Sequence, residues 1–536
     1  MAVSAFSLDQ AGWTQLTQEL QAGQLNGQIV SNIVRHLREL GALTVLVEAE
    51  YLDRDFTEAF AAYYSRLFKR HTKLCRRAHF FNSDLSQIVN LASPSELAAQ
   101  LQQRQDDYLG FLVLRPIHEA PLAQATLVPP SPPAGTESHV LVKAKYETHV
   151  LGAKLTVKGL PMTQQDQRIG ACAQATIWSA SRHFHARHKG PWMSTVGITE
   201  AAMMQEFASV SSTIPNGSEF LSLNGMVSAL RTAGRKPLMY IKTANANPTV
   251  WQGIRPVDVI NRYVDSGIPV ILGLNLGGDI GHAVIASGQV FTHQAPVVAA
   301  LPNNPTRAAF CSAFYVNDDQ QGPNLRMPVQ ANDPVGETPY NVHGNLQFLL
   351  IPLPDKVFLP AEKAEVVAWD MVQLYRDAYW PQLKQHYVAN LGTSEALGDA
   401  FLAELGQNAV VARTYLTYGW KYKHRLLRNR LTDAVHGLAR GTELPRYVWV
   451  TEFGTVDSFS PANIFDRRIF AHCVVDATAK NMGEDSRLFF HAPGLAISRT
   501  HDRSNPNGPY QEAVHVVTDD QAYFPKLRGN LDFAGY

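Results

Sequence analysis

Between residue 165 and about residue 325 the chain runs through its helices first and its strands afterwards, and that order narrows the fold more than any other feature. Helical patterns occupy "CAQATIWSASRHFHARH", "TEAAMMQEFASV", "LNGMVSALRTAG" and "PVDVINRYVDSG", and strand-like text follows in "IPVILGLN", "GHAVIASGQV" and "AFYVNDD". Alternating strands and helices would predict a doubly wound parallel sheet. Segregated helices and strands predict an α+β fold.

The flanks divide by punctuation. Residues 12 to 110 read as helices, chiefly "SNIVRHLREL" and "DRDFTEAFAAYYSRLFKRHTKLCRRAHFF", interrupted by one short strand, "LTVLVE". "YLGFLVLRPI" reads as a strand closed by proline, and the proline-rich "LVPPSPPAGTESH" at 127 to 139 as a surface loop or linker. "VLVKAKYETHVLGAKLTVKGLPM" alternates with period two around a glycine and predicts a hairpin. After about 355 come long helical stretches and then strands at "RYVWVTEFG", "RIFAHCVVDATA" and "RLFFHAPG". The expected organisation is a mostly helical region over 1–130, a central unit over 140–330 and a C-terminal α+β domain over 355–536.

With 45% apolar residues in 536, the chain can bury several cores. Lys plus Arg equal Asp plus Glu at 47 each, so net charge gives no reason to expect a nucleic acid or an anionic membrane, and such a partner would need a local patch. Neither a secretory signal pattern nor a run of about 18 apolar residues occurs, which leads to the expectation of a cytoplasmic protein without a membrane partner. The four cysteines, Cys75, Cys172, Cys311 and Cys473, are too scattered for a metal motif or a disulfide scaffold and read as reduced thiols.

Cys172 follows Gly170 and opens a helical pattern, which sets its sulfur near unpaired backbone N–H groups and the positive end of the helix dipole. A thiol with a reference pKa near 8.5 needs such help, and commonly a neighbouring imidazole, to ionise at neutral pH. Free cysteine is also among the most buried residue types, so packing is the competing explanation. Downstream, His282 opens an apolar strand after a glycine-rich turn, where its ring can face a cleft. The strand "AFYVNDD" then ends in Asn317, Asp318 and Asp319, any of which can accept a hydrogen bond from the histidine and fix its tautomer.

Taken in order, a glutamine upstream, a cysteine at a helix start, "GIPVI" on one strand, "GHAVIASG" on the next and "YVNDDQQGP" after it resemble the papain-like cysteine peptidases, most closely the bacteriocin-processing, C39-like branch, over roughly 160–330. The resemblance implies a two-lobed core with Cys172 as nucleophile, His282 as general base and then acid, and Asp318 as orienting residue. It also implies an oxyanion-binding glutamine, for which Gln167 is the nearest match, with Gln164 and Gln165 close enough to compete. The activity so implied is hydrolysis of a peptide or isopeptide bond in a protein or peptide substrate, without a cofactor, with the flanking regions free to meet a regulatory protein. The same constellation serves transglutaminases and glutamine deamidases, and a catalytically silent peptide-binding or assembly scaffold is the alternative from another class.

Other features carry less. Arg66, Lys69, Arg70, Lys73, Arg76 and Arg77 would line one face of a helix, and "KYKHRLLRNR" at 421–430 forms a second basic stretch; both fit a solvated helix face, with phosphate binding as the functional alternative. His183, His185 and His188 read as a polar helix end and not as metal ligands. His472 and Cys473 are adjacent on a strand and therefore point to opposite faces, so the first cannot serve the second. Phosphate-cradling glycine loops, dinucleotide fingerprints and zinc-protease motifs are absent from the sequence.

Overall fold

The computed structural model describes residues 3–22, 27–85, 93–118, 120–165, 172–203, 221–244, 246–278, 281–390, 395–426, 433–459, 469–483, 486–500 and 511–517. The architecture is α+β. The N-terminal unit runs β1 (Val3–Ser7), α1 (Gln10–Ala22), α2 (Gly27–Glu39), β2 (Thr44–Tyr51), α3 (Arg54–Ala62), β3 (Cys75–Phe81), α4 (Pro94–Gln103), β4 (Tyr108–Leu114) and β5 (Leu122–Leu127). Its strands pair antiparallel in chain order into one five-stranded sheet.

This region is therefore a sheet flanked by helices, and the expectation of a mostly helical N-terminus is corrected. β2 and β4 are the strands expected at "LTVLVE" and "YLGFLVLRPI", whereas β1, β3 and β5 are unexpected; the sheet is covered on both sides. Ile29, Ile33 and Leu37 of α2 pack with Val45, Val47 and Leu112, while Phe56, Leu97 and Leu101 pack with Leu46, Phe81 and Phe111. A strand buried on both faces loses its alternation. The long helix read over 54–81 ends at Ala62, after an N-cap in which Asp53 accepts the Phe56 N–H at 2.8 Å. Arg76 and Arg77 then fall on opposite faces of β3, so the six basic residues share no helix face.

The central unit comprises β6 (Thr136–Val140), β7 (Ala144–Val150), β8 (Ala153–Gly159), α5 (Cys172–His188), α6 (Thr195–Met203), α7 (Leu223–Thr232), β9 (Arg235–Ile241), α8 (Pro256–Asp265), β10 (Val270–Asn275), β11 (Gly281–Thr292), β12 (Cys311–Asp318), β13 (Gly322–Pro328), α9 (Val342–Asn345) and β14 (Leu346–Pro354). The expected β7–β8 hairpin forms. The main sheet is ordered β13-β12-β11-β10-β14-β9, with β6 added beside β11. β9 interrupts the helix-first order, and β14 carries the sheet past the expected boundary at 330 to Pro354. β6 reaches β11 because Gly288 has no side chain: a Cβ there would lie 2.9 Å from Val140 Cα.

The C-terminal unit contains α10 (Ala361–Leu374), α11 (Trp380–Asn390), α12 (Glu395–Gly406), β15 (Val410–Tyr418), α13 (Gly419–Leu426), α14 (Asp433–Gly441), β16 (Tyr447–Thr455), α15 (Val456–Phe459), β17 (Ile469–Asp476), β18 (Arg487–Ala492), β19 (Leu495–Thr500) and β20 (Gln511–Val516). β15 to β20 form an antiparallel meander. One continuous apolar core joins it to the central unit, from Ile177 and Val259 to Trp449 and Phe490.

Buried charges cross the same boundary. Arg262 of α8 binds both oxygens of Glu365 at 2.9 and 2.5 Å, while Asp265 accepts from Gln289 at 2.6 Å and from Arg413 of β15 at 2.8 Å. Arg413 and Arg425 both reach Glu452, at 3.2 and 2.9 Å. Groups this deeply buried are tolerable only when paired, so the network fixes one arrangement of the two units. Among the described residues, no helix is long and apolar enough to cross a membrane.

Candidate active site

α5 starts at Cys172 and lies against β11. Every residue of the helix from Ala173 to Phe184 is buried, which explains its weak amphipathic pattern: it is a core helix, and at its N-terminal end only Cys172 is less than fully buried. Cys172 is half-buried, whereas Cys75, Cys311 and Cys473 are buried. Burial pushes the thiols of Cys75 and Cys473 up to about 12 and raises that of Cys311 as well.

β11 delivers His282 from its second residue. Ile285 pairs with Asn317, so Asp318 falls opposite Val284, two residues from His282 on the same face of the sheet. His282 Nε2 donates to Asp318 Oδ1 at 3.0 Å, and both side chains are almost wholly buried. Cys172 lies near enough to the same imidazole to favour its charged form. With Nε2 committed to Asp318, the nitrogen left for the thiol is Nδ1, which is buried and makes no hydrogen bond in this structure. The sheet and the helix thus bring together Cys172, His282 and Asp318 from three separate elements.

Asp318 is itself tightly held. Oδ1 also accepts the Gln320 and Gln321 N–H groups at 2.8 and 3.2 Å, and Oδ2 accepts the Tyr340 hydroxyl. Burial works to lower the pKa of His282, but the hydrogen bond to Asp318, the nearby Cys172 side chain and the charges of Asp318 and Asp319 outweigh it, and the imidazole is raised to about 11. The ring is therefore a cation at neutral pH. Asp319, also buried, is pushed up to about 7 by desolvation and by the adjacent Asp318 charge.

Of the three residues left open at the strand end, Asp318 alone bonds to the histidine. Asn317 faces elsewhere: its Nδ2 donates to Leu160 O at 3.1 Å and its Oδ1 accepts the Asn324 N–H at 2.9 Å. His282, Asp318 and Asp319 bring donor atoms within 4.8 Å of one another. Both oxygens of Asp318 already accept hydrogen bonds, whereas the two oxygens of Asp319 are buried without one.

Gln167 lies outside the described residues. Gln164 is spent on structure, since its Oε1 accepts the Leu122 N–H at 3.2 Å, and Gln165 lies half-buried with its backbone beside Asp319. Tyr340 is a site residue that sequence reasoning missed. It sits in a loop, "ETPYNVH", with no periodicity or spacing to relate it to Asp318.

Other expectations resolve as structure. His185 Nδ1 bonds the Gly190 carbonyl at 2.9 Å, and His472 bonds the Tyr422 hydroxyl at 2.8 Å, away from Cys473. Comparison with family models, with curated proteins and with solved structures found no match.

Proposed function

We propose that this chain is a papain-like cysteine hydrolase, of the C39-like kind, that cuts a peptide or isopeptide bond through an acyl-enzyme on Cys172. The observation that carries the reading is the imidazole of His282, bonded to Asp318 through Nε2 and close to the Cys172 side chain. The nucleophile in this chemistry is a thiolate, and an imidazole beside a half-buried cysteine at a helix start is the arrangement that chemistry uses. The sulfur attacks the carbonyl carbon, and His282 gives its proton to the leaving amine. The neutral ring then takes a proton from water as that water attacks the acyl-enzyme, releasing the acid and restoring the thiolate–imidazolium pair. Asp318, fixed by Tyr340 and two backbone N–H groups, keeps the ring in one orientation and stabilises its charge.

A pool of peptidyl vinyl sulfones tests this directly, because an electrophile placed where the substrate's carbonyl would lie adds to a positioned thiolate. The reading requires one covalent adduct per chain, mapped to Cys172 and lost in His282→Ala. Adducts spread over several cysteines, or an adduct on Cys172 that does not depend on His282, would contradict it.

A further inference from the structure

We infer that Asn32, on α2 of the N-terminal unit, is a positioning residue for the Asp318–His282 pair, so that the N-terminal unit is a working part of the site. The inference rests on the proposed roles of Cys172, His282 and Asp318.

It starts from the turn after β12. The N–H groups of Gln320 and Gln321 converge on Asp318 Oδ1, the same oxygen that accepts the histidine proton. The orientation of that turn therefore sets the orientation of the carboxylate. Asn32 Nδ2 donates to the Gln321 carbonyl at 2.8 Å, across 289 residues of sequence, and Asn32 is only 6% exposed. One amide thus ties α2 to the turn that follows the acid, at the carbonyl of the residue whose N–H is the second to bond Asp318.

A second tie lies three residues further along α2. Arg35 pairs with Glu337, whose Oε2 accepts the Arg326 N–H of β13 at 3.0 Å. The helix grips the β12–β13 hairpin at its turn and on its second strand, and two grips on one hairpin restrain its rotation. Apolar packing alone holds an element in place with some freedom to slide; a buried donor spent on a particular carbonyl fixes register.

The same unit also holds the nucleophile's side of the site. Asp55 of α3 accepts the Trp178 indole N–H at 3.0 Å and pairs with Arg182, both on α5. The backbone of β5 bonds the segment leading toward the cysteine, Met162 N–H to Ala125 O at 2.9 Å and Gln164 N–H to Leu122 O at 3.0 Å. Nucleophile, base and acid come from α5, β11 and β12, and the N-terminal unit is tied to α5 and to the turn after β12. Of these ties, only Asn32 acts on the turn that aims Asp318.

The test uses the full chain with 15N-labelled histidine, the His282 signal being assigned by its loss in His282→Gln. Two quantities are read, the rate at which iodoacetamide alkylates Cys172 and the pH at which His282 titrates, in the parent, Asn32→Ala, Asp318→Asn and the double variant. Asn32→Ala is expected to slow alkylation at pH 7 by roughly tenfold through misalignment and to move the His282 midpoint down, with a fall in melting temperature no larger than the loss of one buried hydrogen bond brings. The double variant is expected to be no slower than Asp318→Asn alone, because both changes act through one carboxylate.

Parental alkylation and a parental His282 titration in Asn32→Ala would overturn the inference, as would fully additive effects in the double variant. Should the alanine variant not fold, Asn32→Asp removes the same donor at equal size and carries the same two outcomes. If Cys172 of the parent is indifferent to His282→Ala, the hydrolase reading fails. The role of Asn32 is then decided by the His282 titration alone.

Discussion

His282 Nε2 lies 3.0 Å from Asp318 Oδ1, and the two residues, 36 apart in sequence, sit on neighbouring antiparallel strands with both side chains buried. Buried charges are stable only when paired and hydrogen-bonded, so this contact sets the ionisation of the site as well as its geometry.

The first consequence concerns pH. The folded-state pKa of His282, raised to about 11, lies above its ordinary value near 6.5. The charged ring therefore contributes its full stability below about pH 6.5, and the contribution is lost as pH rises from there through the folded value, by up to about 1.4 kcal/mol per pH unit. Urea unfolding of the parent and of His282→Gln at pH 6, 8 and 10 is expected to show a stability difference that shrinks with increasing pH. A difference that grows with pH, or does not change, would contradict the ion pair.

Thiol selectivity follows from burial. Cys75, Cys311 and Cys473 are enclosed, and burial holds all three thiols neutral at physiological pH. Native alkylation followed by peptide mapping is expected to mark Cys172 at least tenfold faster than any of them, since the thiolate is the reacting form. Denaturation should abolish the preference. Equal labelling in the native protein would show that the site gives its cysteine no advantage.

Tyr340 donates to the Asp318 oxygen that the histidine does not use. Removing that hydroxyl in Tyr340→Phe leaves a buried carboxylate oxygen with one partner fewer, at a cost of about 1–3 kcal/mol. A loss of that size in melting experiments, together with slower alkylation of Cys172, is the expected outcome. Parental stability and reactivity would show that Tyr340 only fills space.

The boundary between the central and C-terminal units predicts a large stability effect. Arg413 bridges Asp265 and Glu452, all three with essentially no exposed side-chain surface. Arg413→Ala takes one cation from each of two buried carboxylates, leaving Asp265 with Gln289 and Arg307 and Glu452 with Arg425, and is expected to cost about 3 kcal/mol, lost in a single unfolding transition because the two units share one core. Two separate transitions in the parent would show that the units fold independently.

Much of this was legible in the sequence, and the failures have physical causes. The segments "IPVILGLN", "GHAVIASGQV" and "AFYVNDD" became β10, β11 and β12, because each is a short apolar run, the first ended by Asn275, the second opened by Gly281 and the third ended by Asp318 and Asp319. Cys172 at a helix start and His282 at a strand start could be found because each sits at a transition that glycines mark. "CRRAHFF" failed: both faces of β3 are covered, so its residues carry no period-two signal, and Arg77 is hidden by pairing with Glu48 instead of being exposed as its charge suggests. Asn32 and Tyr340 stayed invisible because their roles depend on contacts across 289 and 22 residues, and neither is a residue type whose presence alone signals chemistry.

The central claim is that an imidazolium at His282 activates Cys172, and the pH dependence of Cys172 alkylation in the parent and in His282→Ala tests it most directly. The account predicts that the parent reacts readily at pH 6 and gains little up to pH 9. His282→Ala should be slower at pH 6 by on the order of a hundredfold and should accelerate steadily with alkali. Overlapping profiles for the two proteins would contradict it, and Cys172 would then be a packing residue at the head of a core helix.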